Sequence, residues 1–201
     1  MKSISFLYSI IAFLIIGATI AFAHMETADL TEDDATQNID AGDPFETMMT
    51  VLTHKRCVNC HPSGNTPRQG EDSHLHYFDV VRGDEGHGLS GYSCITCHSD
   101  QNNDYSGVPG APHWALAPDF MAWEGKTKVE IATQMMDTQS NGGRSPDEIM
   151  EHLTEHELVL WAWDPGINAE GIEREKPPVP KDEYIQAVKD WINAGAIIPA
   201  E

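Results

Sequence analysis

The chain has 201 residues and a formal net charge of −20, from 12 Lys and Arg against 32 Asp and Glu. This acidic balance argues against nucleic acid as a partner, because binding to phosphates needs a basic face. It favours a partner with a basic surface, whose approach would be steered by electrostatic attraction. The alternative is that the surplus of acidic residues only keeps an exported protein soluble.

The first 42 residues have the composition of an export signal and a leader. In residues 1–23, Lys2 gives a positive start, a long apolar run follows, and residues 21–23 form an A-x-A cleavage site. The alternative is an uncleaved anchor, since the apolar run approaches spanning length. We expect cleavage, a periplasmic or otherwise exported protein, and no stable membrane insertion. Residues 24–42 are acidic and poor in apolar side chains, which predicts a flexible leader.

Four helices are predicted along the rest of the chain. The first begins at Asp43 as N-cap and Pro44 in the first turn, and we expect it to run directly into the first cysteine pair. The other three are predicted over 126–137, from the capping box at Ser145 to about Trp163, and over 181–194. The stretches 62–93 and 99–118 are rich in Gly, Pro and Asp, and are predicted to be long irregular loops.

Two C-x-x-C-H motifs use every cysteine of the chain. Motif 1 is Cys57-Val58-Asn59-Cys60-His61 and motif 2 is Cys94-Ile95-Thr96-Cys97-His98. This pattern is the attachment signature of a c-type haem. Two thiols two residues apart add to the vinyl groups of one porphyrin, and the adjoining imidazole binds its iron. The sequence therefore predicts two covalently bound haem c groups, held by Cys57, Cys60, His61, Cys94, Cys97 and His98.

Two other uses of the cysteines must be weighed against this prediction. Four cysteines in an exported chain can form two disulfides, and paired C-x-x-C sequences can bind one zinc ion. Neither alternative requires a histidine immediately after both pairs. Export agrees with the haem interpretation, because bacterial haem attachment takes place outside the cytoplasmic membrane.

The spacing of the motifs limits the architecture. They lie 37 residues apart, whereas a domain that wraps one haem needs roughly 80 residues or more by domain-size reasoning. Two tandem single-haem domains are therefore excluded. We predict one mostly α, small, loop-rich cytochrome c-like fold over residues 43–201, with two closely spaced covalent haems.

The sixth ligands of the irons are expected among the remaining histidines. His76, His113 and His152 are the preferred candidates, two of the three serving. His152 lies with His156 on an apolar stripe of the predicted third helix, and iron binding would satisfy an imidazole buried there. Either residue of this pair fits that role, with a hydrogen-bonded core histidine as the ordinary alternative. Met121 is the best thioether candidate, although a core methionine is the more common role.

The motifs and the last helix carry a resemblance to known proteins. The chain resembles di-haem c-type cytochromes, and its ending, Tyr184 to Ala196, resembles the terminal helix of bacterial cytochrome c domains. Four shorter segments are similar to small secreted cytochromes labelled as isoquinoline 1-oxidoreductase subunits: 108–114, 121–125, 141–144 and 161–166. That resemblance, over about 45–199, implies an electron-transfer companion of a molybdenum hydroxylase.

These observations predict an electron carrier rather than an enzyme. Its expected role is one-electron transfer between a redox enzyme and another acceptor, with a redox protein partner that has a basic docking surface. The alternative is a haem enzyme with an open sixth site, peroxidase-like or small-ligand-binding, in which His87 or Met121 acts as a gate. A third interpretation is a sensor or assembly module in which haem is structural.

Overall fold

The computed structural model describes residues 42–200. The predicted signal peptide (1–23) and all of the predicted leader except its last residue lie outside the described part of the chain. Within it, helix is the main regular structure and sheet is scarce, which agrees with a mostly α class. The α-helices of residues 42–200 are α1 (Pro44–Leu52), α2 (Lys55–Val58), α3 (Lys128–Met136), α4 (Pro146–Glu155), α5 (Glu157–Leu160) and α6 (Lys181–Asn193).

The hydrophobic core lies where α1 and α4 pack against α6. Apolar side chains recur at helical spacing on each of these helices, and burying those faces against one another is what holds them together. The buried residues are Phe45, Met48, Met49, Val51 and Leu52 on α1, and Tyr184, Ala187, Val188, Trp191 and Ile192 on α6.

Helices α1, α3 and α4 each begin directly after a residue whose side chain caps the first turn. Asp43 accepts a hydrogen bond from the backbone N–H of Phe45 at the start of α1 (3.0 Å). Ser145 and Glu148 form the predicted capping box of α4. A second capping box, formed by Thr127 and Glu130, begins α3 at residue 128, two residues later than predicted.

Two of the predicted helices are interrupted. The first does not run into motif 1, because α1 ends at Leu52 and His54 begins a separate helix by accepting a hydrogen bond from the N–H of Arg56. The predicted helix from Ser145 to Trp163 breaks at His156, whose extended ψ of 124° separates α4 from α5. The apolar stripe predicted to carry His152 and His156 on one continuous helix is therefore wrong.

Two short antiparallel hairpins lie within 62–93, which was predicted to be irregular. Their strands have two residues each, too few to produce a period-two pattern in the sequence. They are β1 (Arg68–Gln69) with β2 (His74–Leu75), and β3 (Gly88–Leu89) with β4 (Tyr92–Ser93).

In the described residues, none of the helices combines the length and the apolar character needed to cross a membrane.

Candidate cofactor-binding site

Motif 1 begins in α2 and is held by a loop from later in the chain. The carbonyl of Cys60 accepts a hydrogen bond from the N–H of Ala117 (3.0 Å). The carbonyl of His61 accepts from the N–H of Trp123 (2.9 Å) and of Glu124 (3.2 Å). The Cys57 side chain packs against the hydrophobic core. These contacts fix the two thiols and the imidazole of motif 1 beside the core of the protein.

Motif 2 follows the second hairpin and lies nearer the surface. Cys94 begins a short 3₁₀ turn (Cys94–Thr96). Cys97 directly follows this turn, and its side chain is exposed. The backbone N–H of Cys94 donates to the carbonyl of His87 (2.9 Å), and the neighbouring carbonyl of Gly86 accepts from Leu116 (2.8 Å). Ala117 thus bonds motif 1, and Leu116 bonds the residue before His87, which in turn bonds motif 2, so this segment links the two sites.

The two motif histidines make the same hydrogen bond. Nδ1 of His61 lies 2.7 Å from the carbonyl oxygen of Met121. Nδ1 of His98 lies 2.7 Å from the carbonyl oxygen of Pro109. A carbonyl only accepts, so each Nδ1 is the protonated nitrogen that donates, which leaves Nε2 with a free lone pair. This is the arrangement found at metal-binding histidines, where the second nitrogen is oriented by a backbone carbonyl.

Each motif histidine also stacks on a tryptophan. The rings of His61 and Trp123 are 3.6 Å apart between centroids and 9° from parallel. The rings of His98 and Trp114 are 4.4 Å apart and 8° from parallel. A hydrogen bond at one nitrogen and a flat ring against one face restrict the rotation of both imidazoles. The structure therefore holds both Nε2 atoms in set directions.

A cavity of about 370 Å³ lies beside motif 1. This volume is within the range of small-molecule and cofactor sites. Its walls combine both cysteines of motif 1 with apolar side chains of the core, among them Leu52, Met135, Ile149 and Leu153. Five histidines also line it: His61, His87, His113, His152 and His156.

Burial favours the neutral form of two imidazoles and two thiols around this cavity. It lowers the pKa of His61 to about 4, against a smaller opposing effect of the Met121 carbonyl. Burial likewise lowers the pKa of His152 to about 4, with smaller contributions from His156 and Arg144. Burial raises the pKa of the thiols of Cys57 and Cys60, to about 12 and about 11. Neutral imidazoles retain the lone pair that a metal ligand needs.

His76, the candidate nearest motif 2, lies across from His98. The two ring centroids are 6.1 Å apart, and the ring planes are 68° from each other. Imidazole nitrogen binds a first-row transition metal at about 2 Å, so two imidazoles on opposite sides of one ion have ring centres about 6 Å apart. Nδ1 of His76 lies 2.7 Å from the carbonyl of Tyr77, which again leaves Nε2 free. The spacing of His76 and His98 therefore suits a shared iron.

His113 and His152 both face the cavity of motif 1. Among the further influences on the pKa of His61, the largest after burial and the Met121 carbonyl is that of His152. His113 is exposed, and its ring lies 5.7 Å from that of His156. Its φ of 62° is left-handed, a strained conformation for a residue with a side chain. His113 is thus brought to motif 1, although it follows motif 2 in the sequence.

Met121 contacts motif 1 through its backbone carbonyl. Its carbonyl oxygen accepts the hydrogen bond of His61, so the residue lies on the same side of the cavity as the motif imidazole. Its side chain belongs to the hydrophobic core and also lines the cavity, so the core role and the thioether role both stay open.

Two arginines near motif 1 were not among the candidates. Arg144 lines the cavity. Arg82 is buried and donates to the carbonyls of Pro62 (3.3 Å) and Gly64 (2.9 Å), but its Nε and Nη1 are buried without a hydrogen-bond partner. Its charge also lowers the pKa of His61 slightly, so it is close to that imidazole. A buried, partly unpaired guanidinium needs an anion, and the propionates of haem are such anions.

The geometry gives no support to the disulfide or zinc alternatives. All four cysteines are unpaired. Over residues 42–200, no group of three or more His, Cys, Asp or Glu side chains is placed to share a metal ion.

The two motifs lie close together. The thiols of Cys60 and Cys94 are close enough for Cys94 to contribute to the raised pKa of Cys60. The two motifs are therefore neighbours.

Comparison with models of known protein families finds no match, and neither curated proteins nor solved structures yield one.

A second, larger cavity of about 630 Å³ contains none of the motif residues. Two of its polar side chains are used in the fold. Asn102 accepts from the indole N–H of Trp161 (2.9 Å) and donates to the carbonyl of Asp164 (2.8 Å). The guanidinium of Arg174 binds the carbonyls of Pro165, Ile167 and Gly107.

Proposed function

We propose that this protein is an exported di-haem c-type cytochrome that carries single electrons between a redox enzyme and another acceptor. Haem c, when bound, supplies an iron that takes up and releases one electron. The cysteines of each motif hold the group, and His61 and His98 provide one ligand each. The observation that carries the proposal is the repeated arrangement of those histidines. Two motifs in different surroundings have the same carbonyl partner at Nδ1 and the same stacked tryptophan.

The second ligand is assigned from the same geometry. His76 serves the motif 2 site, because it faces His98 at a spacing suited to one shared metal. His152 serves the motif 1 site, because it lines that cavity and influences His61. His113 is then left as a neighbour of His156 at the rim. Ligation by two imidazoles at each site leaves no open coordination position, as a carrier requires.

Arg82 and Arg144 orient the group at motif 1. Arg144 lines the cavity, and Arg82 is close to His61 with two buried nitrogens that have no hydrogen-bond partner, so both guanidinium groups would be available to haem propionates. The chain itself is strongly acidic, so the two propionates would be repelled without local cations. A haem held by Cys57 and Cys60 would therefore have these two arginines available to its propionates.

Optical spectra of the reduced protein with and without carbon monoxide test the carrier role. Two six-coordinate low-spin haems, unchanged by the gas, are expected. A haem that binds carbon monoxide at once would contradict the carrier and favour the enzyme with an open sixth site. His152→Ala and His76→Ala are matched variants for this measurement. Each should open one site and make that haem reactive.

A further inference from the structure

The surface around motif 2 is unusually apolar. Six of the ten exposed large apolar side chains in the described residues lie between 75 and 95, so the feature is local: Leu75, Tyr77, Phe78, Leu89, Tyr92 and Ile95. We call these six residues the apolar patch. They flank His76 and motif 2 in sequence, and the exposed Cys97 lies beside them. Exposed apolar groups of this density mark interaction sites in soluble proteins.

Phe78 is the most unusual member of the patch. It is 77% exposed and has a left-handed φ of 68°. Both features are unfavourable for the isolated protein, since a bulky residue gains nothing from exposure and is strained at positive φ. An aromatic side chain held outward by a strained backbone is suited to contact with a partner.

The same region is acidic. Between residues 71 and 104 the chain has seven acidic residues and a single basic one, Arg82, which is buried. Five of the acids, from Asp79 onward, form no ion pair within residues 42–200. Asp84 and Glu85 precede Gly86 and His87, whose carbonyls lie against Cys94. Asp79 directly follows Phe78, so Asp79, Asp84 and Glu85 lie close to the patch and to motif 2 in the chain. We call these three residues the acidic rim.

We infer that the apolar patch and its acidic rim form the docking surface for a basic redox protein, through which electrons enter or leave at motif 2. This inference rests on the proposed function. The charge of the rim decides the occupant, because a lysine-rich surface is attracted to it and a second copy of this acidic chain is repelled. Electron transfer between proteins uses small, short-lived interfaces, and a few apolar side chains inside a charged rim match that class.

Calorimetric titration with a lysine-rich mono-haem cytochrome c tests the inference. The probe is used in a zinc-substituted form, so that binding is measured apart from electron transfer. The double variant Asp84→Lys/Glu85→Lys should weaken binding about tenfold at low ionic strength. The control Glu155→Lys/Glu170→Lys changes the net charge by the same amount at exposed sites on other segments. It should change affinity less than about twofold. Equal losses in both double variants would show attraction by net charge only and overturn the inference.

Phe78→Asn tests the apolar part of the surface. Asparagine tolerates the left-handed conformation better than phenylalanine, so the variant should fold at least as well as the parent protein. We expect a threefold to tenfold loss of affinity for the probe with an unchanged haem spectrum. Unchanged affinity with a shifted haem spectrum would mean that Phe78 covers the cofactor, and would overturn its docking role. So would a dimer of this chain, seen by sedimentation, that Phe78→Asn dissociates.

Haem content is measured on every sample by the pyridine haemochrome assay. Two haems per chain with no dependence on Asp84, Glu85 or Phe78 would refute the docking surface alone. Absence of haem would refute the proposed function, whatever the probe does.

Discussion

Motif 1 and motif 2 have the same sequence pattern and the same imidazole contacts, but the protein surrounds them differently. Cys57 packs against the hydrophobic core, and burial raises the pKa of its thiol to about 12. Cys97 is exposed and lies beside the apolar patch. Motif 1 is therefore part of the structure that holds the helices together. Motif 2 lies where a partner can reach it. If both motifs hold haem as proposed, the same attachment chemistry would serve stability at one site and electron exchange at the other.

Removal of each cysteine pair should give the largest difference in stability between the two motifs. Cys57→Ala/Cys60→Ala would leave the cavity beside the core unfilled, and we expect the free energy of unfolding to fall by about 5 kcal/mol or more. Cys94→Ala/Cys97→Ala should cost no more than about 2 kcal/mol, because that site is at the surface. Urea denaturation followed by circular dichroism measures both. Equal losses would contradict the assignment of separate roles.

The stacked tryptophans give a smaller version of the same contrast. Trp123 is 4% exposed, and Trp123→Ala should cost about 3–5 kcal/mol. Trp114 is only partly buried, so Trp114→Ala should cost about half as much. Thermal unfolding of the two variants provides the measurement. A greater loss for Trp114→Ala would show that motif 2, and not motif 1, is the better packed site.

The ligand assignments predict equal and separable spectroscopic effects. In His152→Ala the haem at motif 1 should change from low spin to high spin, and in His76→Ala the haem at motif 2 should do so. Electron paramagnetic resonance should therefore lose half of its low-spin intensity in each variant. His113→Ala is the control, and should retain both signals. Loss of a low-spin signal in His113→Ala would reassign the motif 1 ligand.

Glu124 follows Trp123 beside motif 1, and its substitution should have the smallest effect on the free energy of unfolding. Its carboxylate accepts a hydrogen bond from the N–H of Ser63 (2.9 Å). This hydrogen bond and the neighbouring Arg68 lower the pKa of Glu124. A lowered folded pKa gives stability that is present above the unfolded value of about 4.3 and is lost as pH falls through the folded pKa. Glu124→Gln should therefore cost at most about 1 kcal/mol at pH 7, since the group is partly exposed. The difference from the parent protein should vanish in strong acid. A difference that persists there would point to packing rather than charge.

Sequence patterns were sufficient for the helices that bury an apolar face. The periodicity of α1 and α6 and the capping box of α4 are local signals. The helix α6 has nearly its predicted bounds, whereas α1 and α4 begin where predicted but end earlier. The break at His156 was missed because the apolar stripe continues across it in the sequence. The short hairpins were missed because strands of two residues have no period to detect.

The site depended on contacts that the sequence does not encode locally. His61 meets a carbonyl sixty residues away, at Met121, and stacks on Trp123. His113 follows motif 2 in the chain but lines the cavity of motif 1. Arg82 becomes a candidate only in the structure, where two of its guanidinium nitrogens are buried without hydrogen-bond partners. Such pairings are set by how the loops return to the core, so residue types alone could identify the motif residues but not their neighbours.

Mass spectrometry of the mature protein, made in a host that attaches haem c, tests the central claim most directly. The account predicts the mass of the processed chain plus two haems, both retained after denaturation because they are covalently bound. A mass with no added group, or with one only, would contradict the claim that each motif holds its own haem.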